Sequence, residues 1–197
     1  MTNLQTLRRS IGARVSEPLV SVLKHCPVSP NFVTVAGLGI TFVAAWLAHD
    51  GRFLLAGLVL AAASMFDMLD GALARATGRS SQFGAILDSV CDRIAEAAVI
   101  GGIALWFTGT GNTMGVLVSL AALVSSFLVS YTRARAEGVG IDCTVGLCTR
   151  PERAIVLMLG LVIGWVLVAV SIIAVCASIT VAQRLVHLQR NGKESGN

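Results

Sequence analysis

The sequence predicts an all-α integral membrane protein: six transmembrane helices behind an N-terminal amphipathic juxtamembrane helix, with both termini in the cytoplasm. Three observations carry this. Hydrophobic residues make up 55% of the 197 and charged residues only 13%, with a mean hydropathy of +0.78, far from the balance of a soluble domain. The apolar residues fall into long runs separated by short polar or glycine-containing turns. With six spans, fourteen of the fifteen Lys and Arg residues lie on one side and Arg52 alone on the other, as the positive-inside rule requires.

The elements follow in order. In segment 1–26, Leu4, Leu7, Ile11, Val15, Leu19 and Val22 recur at helical spacing with Arg8, Arg9 and Arg14 between them, which suits a helix lying on the membrane surface and interrupted at Pro18. No continuous apolar core or small-residue cleavage site is present there, so no removable signal peptide is expected. Pro27 to Asn31 stops this element, and Asn31 is the expected cap of the next. The membrane domain then runs over 27–190, and 191–197 reads as a polar tail.

The first span covers about Phe32 to Ala48, and the second about Phe53 to Arg75 after the turn His49-Asp50-Gly51-Arg52. The third runs from about Phe83 to Phe107, and the fourth from about Met114 to Glu137, closed by a polar linker over 138–149. From Ala154 to Gln183 thirty residues carry no charge. One helix of that length would reach about 45 Å against a hydrocarbon core of about 30 Å, whereas two spans need a tight turn near Gly164-Trp165 and must carry Arg153 and Arg184 within their helices. Two spans keep the charges of the C-terminal end on the inner side. Trp46, Trp106 and Trp165 fall at the outer ends of the first, third and fifth spans, where an aromatic belt belongs.

Four of the eleven acidic residues are concentrated in the 26 residues from Asp67 to Asp92. Asp67 and Asp70 are three apart and Asp88 and Asp92 four apart, so each pair shares a helix face. The connection Thr77-Gly78-Arg79-Ser80-Ser81 is short, which makes the two helices antiparallel neighbours and brings both pairs to one end. At about 5 Å and an effective dielectric near 20, each like-charge pair repels by roughly 3 kcal/mol. A pair of divalent cations would cancel that repulsion, and hard oxygen ligands suit Mg²⁺ or Mn²⁺; such a centre performs phosphoryl transfer. Gly71 and Ala74 leave a smooth strip beside the acids for a nucleotide phosphate, Arg75 can meet its oxygens, and Gly84 permits similarly close approach on the partner helix.

The pattern Asp67-x2-Asp70-Gly71-x2-Ala74-Arg75-x8-Gly84-x3-Asp88-x3-Asp92 resembles, without a departure, the signature of the CDP-alcohol phosphotransferase (CDP-alcohol phosphatidyltransferase) family. Pro30-Asn31-x2-Thr34-x2-Gly37 is similar to a weaker family element that helps hold the cytidine nucleotide. The resemblance implies displacement at the β-phosphorus of a CDP-linked lipid, CDP-diacylglycerol, with release of CMP. It implies that Asp67, Asp70 and Asp88 bind metal, that Asp92 is both a metal ligand and the general base, and that Asn31, Thr34, Gly71, Ala74, Arg75 and Ser81 bind the CDP-lipid. A homodimer in the cell membrane, with its active site facing the cytoplasm, is also implied.

A second basic constellation follows the fourth span: Ser130-Tyr131-Thr132-Arg133-Ala134-Arg135-Ala136-Glu137, then Thr149-Arg150-Pro151-Glu152-Arg153. Several guanidinium groups at one mouth make a site for a phosphate dianion. The arrangement resembles the phosphatidylinositol-phosphate synthase and archaetidylinositol-phosphate synthase branch of the family, whose corresponding elements bind inositol phosphate. It departs at Arg133, where bacterial members of that branch often carry lysine. Arg133, Arg153 and a residue of the last helix, Arg190 or Arg184, are the expected acceptor-phosphate ligands. Glycerol 3-phosphate is the alternative acceptor. A divalent-cation carrier is the alternative outside enzymes; it is disfavoured because all four acids stand at one end rather than along a path across the bilayer.

The remaining residues have plainer readings. Arg93 and Glu96 are three apart and are expected to pair. The five cysteines lack a second ligand pair for zinc and are expected to be reduced, and the three histidines are too scattered for chemistry. No nucleic-acid partner is expected.

Overall fold

The computed structural model describes residues 29–78 and 80–194, and the predicted juxtamembrane segment 1–26 lies outside them. Within the described residues the chain forms six α-helices: α1 (Pro30–His49), α2 (Phe53–Thr77), α3 (Gln82–Gly109), α4 (Thr113–Glu137), α5 (Arg150–Ile163) and α6 (Val166–Glu194). Each stands where a span was expected. Four are long and apolar enough to cross a membrane: α1, α2, α4 and, over Val166–Arg190, α6. The two others differ for physical reasons. Helix α3 carries Asp88, Asp92, Arg93 and Glu96 between its start and its middle, and α5, with 14 residues, advances only about 21 Å.

Helix ends follow local chemistry, with one correction. Ser29, rather than Asn31, caps α1: its Oγ accepts from the Phe32 N–H at 3.2 Å, and Pro30 sits in the first turn, where its missing N–H costs nothing. Asn31 is thereby inside the helix and its side chain is released for other contacts. Asn112 caps α4, accepting from the Gly115 N–H at 2.9 Å. Gly164 ends α5 in the left-handed region, with φ of 83°, so α5 and α6 are separate helices with the turn where the sequence requires it. Helix α6 continues through the polar residues to Glu194, beyond the expected boundary at 190; no proline interrupts them.

Two compact units divide the described residues, one comprising 29–43 with 59–78 and 80–95, the other 44–58 with 96–194. In the first, Val33 on α1 packs with Leu69 and Leu73 on α2, joined by Phe66 and Ala72. Gly37 keeps α1 close to α2: a Cβ there would lie 3.1 Å from Phe66 Cβ and 3.5 Å from an Asp67 carboxylate oxygen.

The second unit is held by small residues on facing helices. Helix α4 buries Gly115, Ser119, Ala122, Ser125, Ser126, Val129, Thr132 and Ala136, and α6 buries Val166, Ala169, Val170, Ile173, Ala177 and Thr180. Where apolar burial gives little gain, close backbone approach of this kind holds helices together in lipid. Trp106 meets Phe53 edge-on at 4.7 Å between ring centroids, whereas Trp46 and Trp165 are exposed. Phe42, Leu58, Leu117, Val124, Val175 and Ile179 are exposed as well; so extended an apolar surface suits lipid and not water.

Gly102 and its neighbour Gly101 offer a matched test of close approach. A Cβ on Gly102 would lie 2.3 Å from the Ala45 carbonyl oxygen, while one on Gly101 meets nothing within 4 Å. Gly102→Ala is expected to destabilise the protein by about 1–3 kcal/mol through overpacking, whereas Gly101→Ala leaves stability unchanged or slightly raised. Thermal unfolding in detergent checks the pair.

Candidate active site

Within the first unit, α1, the second half of α2 and the start of α3 enclose a cavity of about 210 Å³, lined by Pro30, Asn31, Thr34, Asp70, Gly71, Ala74, Arg75, Ser80, Ser81, Gly84, Ala85 and Asp88. All six residues expected to bind the CDP-lipid therefore line one cavity, together with one aspartate of each acidic pair. Helical spacing explains this: Asp70, Gly71, Ala74 and Arg75 recur at i, i+1, i+4 and i+5, a single stripe of α2.

The side chains in the cavity are positioned by specific contacts. Asp70, 5% exposed, accepts the Thr34 hydroxyl at 2.6 Å and the Gly71 N–H. A carboxylate taken from water needs such donors, so Thr34 serves to orient Asp70. Gly71 lets the Arg75 guanidinium fold back: a Cβ there would stand 3.4 Å from Arg75 Nη1. Ser81 Oγ accepts from the Gly84 N–H at 3.0 Å and so caps α3, leaving its O–H to donate into the cavity. Gly84 is pressed between Ser81 Oγ and Asn31 Oδ1, which a Cβ would approach to 3.1 and 3.2 Å.

The four acids share one neighbourhood. Asp70 is repelled by the charges of Asp88 and Asp67, and the charges of Asp92, Asp88, Asp67 and Asp70 all act on the Cys91 thiol. They do not form a closed cage: among the described residues no three acidic, His or Cys side chains are grouped so as to hold a metal ion. Two of them are engaged by neighbouring protein groups. Asp70 is turned to Thr34, and Asp92, 8% exposed, lies 3.7 Å from Arg93 Nη1. As a donor set, four carboxylates match hard divalent cations.

The basic residues lie in the second unit. Arg133 is half-exposed and bonds Glu137 one turn on, Nε to Oε1 at 2.7 Å. Arg153 is 1% exposed and bidentate to Glu96, with Nε to Oε1 at 2.6 Å and Nη2 to Oε2 at 2.8 Å; its Nη1 donates to the Cys148 carbonyl at 3.3 Å. The expected Arg93–Glu96 pair is therefore replaced. Glu96 neutralises a buried guanidinium on α5, and Arg93 donates instead to the Ser89 carbonyl at 2.6 Å. Arg190 is exposed and lines an open groove of about 750 Å³ with Val145, Leu147, Gln183 and His187. Arg184 is 2% exposed, bonded to main-chain carbonyls of Val145 and Val129.

Cys91, Cys143, Cys148 and Cys176 are free thiols, as expected. Burial pushes the Cys148 thiol up to about 11, so it stays protonated at physiological pH. Sequence reasoning missed the roles of Thr34, Glu96, Thr180 and Gln183. The last two, which accept from the Cys148 and Leu147 N–H groups, had a visible signal: Thr180, Gln183 and Arg184 stand at i, i+3 and i+4 in the last helix, a polar stripe beside an apolar run.

The chain is similar in sequence and fold to known proteins. Residues 27–186 match the sequence profile of the CDP-alcohol phosphatidyltransferase family. The chain is 39% identical over 188 residues to the phosphatidylinositol phosphate synthase of Mycobacteroides abscessus, covering 91% of this chain and 86% of that one. It is 36% identical over 179 residues to the archaetidylinositol phosphate synthase of Pyrococcus horikoshii, covering 89% and 93%. The fold matches the crystal structure of Mycobacterium tuberculosis phosphatidylinositol phosphate synthase with CDP-DAG bound, with a TM-score of 0.82 at 34% identity over 88% of this chain and 92% of that one. The same enzyme in complex with manganese and citrate gives a TM-score of 0.81 at 34% identity, covering 85% and 86%. The chain belongs to the CDP-alcohol phosphatidyltransferase family. It is a membrane transferase of phospholipid biosynthesis, and the relatives named above are synthases of inositol phospholipids.

The Glu96–Arg153 pair yields a test that does not depend on turnover. Removing one partner of a buried ion pair strands the other charge, at a cost of about 3–5 kcal/mol. Glu96→Ala is accordingly expected to lower the thermal midpoint far more than Glu137→Ala, which removes the half-exposed partner of Arg133 and costs about 0–1 kcal/mol.

Proposed function

We propose that the protein transfers the phosphatidyl group of CDP-diacylglycerol to a hydroxyl of inositol phosphate, releasing CMP. The carrying observation is the single cavity that gathers Asn31, Gly71, Arg75 and Ser81 beside Asp70 and Asp88. The names of the relatives support the acceptor, and the CDP-DAG in the mycobacterial structure supports the donor.

In this reading Asn31 and the Gly71–Ala74 strip receive the nucleotide, and Arg75 and the Ser81 hydroxyl meet the pyrophosphate oxygens. Thr34 lines the same cavity and also holds Asp70 in place. When bound, a pair of divalent cations, Mg²⁺ or Mn²⁺, held by Asp67, Asp70, Asp88 and Asp92, would supply neutralisation of the pyrophosphate charge; manganese in the mycobacterial relative supports this. The acceptor oxygen forms its bond to the β-phosphorus, the bond from that phosphorus to the CMP oxygen breaks, and CMP leaves with the electron pair. The acceptor's proton passes to the Asp92 carboxylate.

Arg133 and Arg190 hold the acceptor by its phosphate, and Arg153 contributes N–H groups not taken by Glu96 and Cys148. Six spans with both termini in the cytoplasm, an active site facing the cytoplasm and a homodimer in the cell membrane complete the proposal. The distribution of Lys and Arg supports the orientation.

Two measurements test it. CMP release from CDP-diacylglycerol, with inositol phosphate, glycerol 3-phosphate, inositol and serine offered in parallel, is expected to be fastest with inositol phosphate. Faster release with glycerol 3-phosphate would reassign the acceptor, and faster release with serine or inositol would remove the role given to the arginines. Asp92→Asn is expected to slow turnover by about 10²-fold or more while CDP-diacylglycerol still binds; undiminished turnover would refute the general-base assignment.

A further inference from the structure

Arg93 carries a full charge about 16 Å along α3 from Gln82, in a helix that is otherwise largely apolar. A guanidinium at such a depth is costly, and an ionisable group kept there points to a use. Helical spacing would pair it with Glu96, but both oxygens of Glu96 are taken by Arg153. The ion pair that Arg93 does make is with Asp92, 3.7 Å from Nη1 to Oδ2.

Successive residues of a helix do not face each other, so a contact between positions 92 and 93 needs a device. Ser89 supplies it through its main chain. Residue 89 stands three before Asp92 and four before Arg93, and its carbonyl points along the helix axis toward the gap between those two columns. Arg93 Nη1 donates to that carbonyl at 2.6 Å, which folds the guanidinium back along its own helix and onto the Asp92 side. A carbonyl oxygen has two lone pairs, so it can take this bond in addition to the helical one. The Arg93 side chain is 30% exposed and that of Asp92 only 9%, which sets the cation on the open side of the carboxylate. All three residues lie within little more than one turn of α3, so the helix itself fixes their arrangement.

We infer that Arg93 is a positioning residue for Asp92, holding Oδ2 so that Oδ1 is presented to the acceptor's proton. The inference rests on the base role proposed for Asp92. It makes Arg93 the counterpart of Thr34, which holds Asp70. The two differ in sign of effect, because Thr34 is neutral whereas Arg93 sets a fixed positive charge beside a group of carboxylates. That charge opposes a divalent cation at the same acids. Loss of Arg93 should therefore slow turnover and tighten cation binding together. A merely structural residue would move both the other way round or in step, since a collapsed site turns over slowly and binds metal weakly.

The test uses the full chain in lipid–detergent micelles, with Mn²⁺ alone as the binding probe, followed by electron paramagnetic resonance, and CMP release as the measure of turnover. The wild type and Asp92→Asn decide the underlying reading; undiminished turnover in Asp92→Asn removes the base role and the inference with it. Arg93→Gln is expected to lower kcat about tenfold with both KM values within about twofold, and to bind Mn²⁺ about tenfold more tightly than the wild type. Added to Asp92→Asn, it should lower kcat no further, because its effect runs through that carboxylate. Arg93→Lys keeps the charge without the planar fork, so Mn²⁺ affinity should stay within about twofold of the wild type while kcat recovers only in part. Weaker Mn²⁺ binding in Arg93→Gln, a further loss of kcat in the double variant, or full recovery of kcat by Arg93→Lys would each overturn the inference. Should Arg93→Gln fail to fold, Arg93→Lys and its combination with Asp92→Asn decide it by the same comparisons.

Discussion

Ionisable side chains carried on apolar helices must find partners where they are buried, and most of what is distinctive in this molecule follows from that constraint. Water is not available to solvate them, and the low dielectric that makes an unpaired charge expensive also makes a well-placed partner effective. Asp70 has the Thr34 hydroxyl and the Gly71 N–H. Arg153 has both oxygens of Glu96. Arg184 has two carbonyls. Each pairing fixes a side chain and, with it, the local course of the main chain, so the residues that could carry chemistry are oriented before any substrate arrives.

Small residues provide the complementary freedom. Gly37, Gly71 and Gly84 stand beside the cavity or the acids, each at a point where a methyl group would press against a functional side chain. In the second unit Gly57, Gly102 and Gly160 have backbone or core atoms closer to a Cβ position than van der Waals contact allows. The same residue type therefore serves two ends: making room around the polar groups in one unit, and drawing helices together in the other.

Much of this was legible in the sequence, and what was legible was local. The acidic motif, its glycine and alanine spacers and Arg75 lie within 26 consecutive residues, so helical periodicity alone places them on shared faces, and the structure gathers the lipid-binding candidates about one cavity. The six helices and the Gly164 turn were readable from apolar run lengths and from the charge distribution. Helix starts were read less well. Asn31 and Ser29 are both good caps, and the choice depends on which of them Pro30 follows. The pairing of Glu96 was out of reach, because a nearby Arg93 competes on sequence distance with an Arg153 brought in by tertiary packing. Arg153 was read as a phosphate ligand from its place among the basic residues and from the family resemblance; that it is also bound to Glu96 and the Cys148 carbonyl is a property of the fold.

The Glu96–Arg153 bond joins positions 57 apart in the chain, and this shapes how the protein can change over generations. Loss of either residue alone leaves a stranded charge in an apolar surrounding, so a lineage crossing from this pair to another must pass through an ill-folding intermediate or exchange both members together. The two positions are therefore expected to change together. A coordinated replacement by well-packed apolar residues is physically open, since such exchanges are often neutral, but single drift at either position is not.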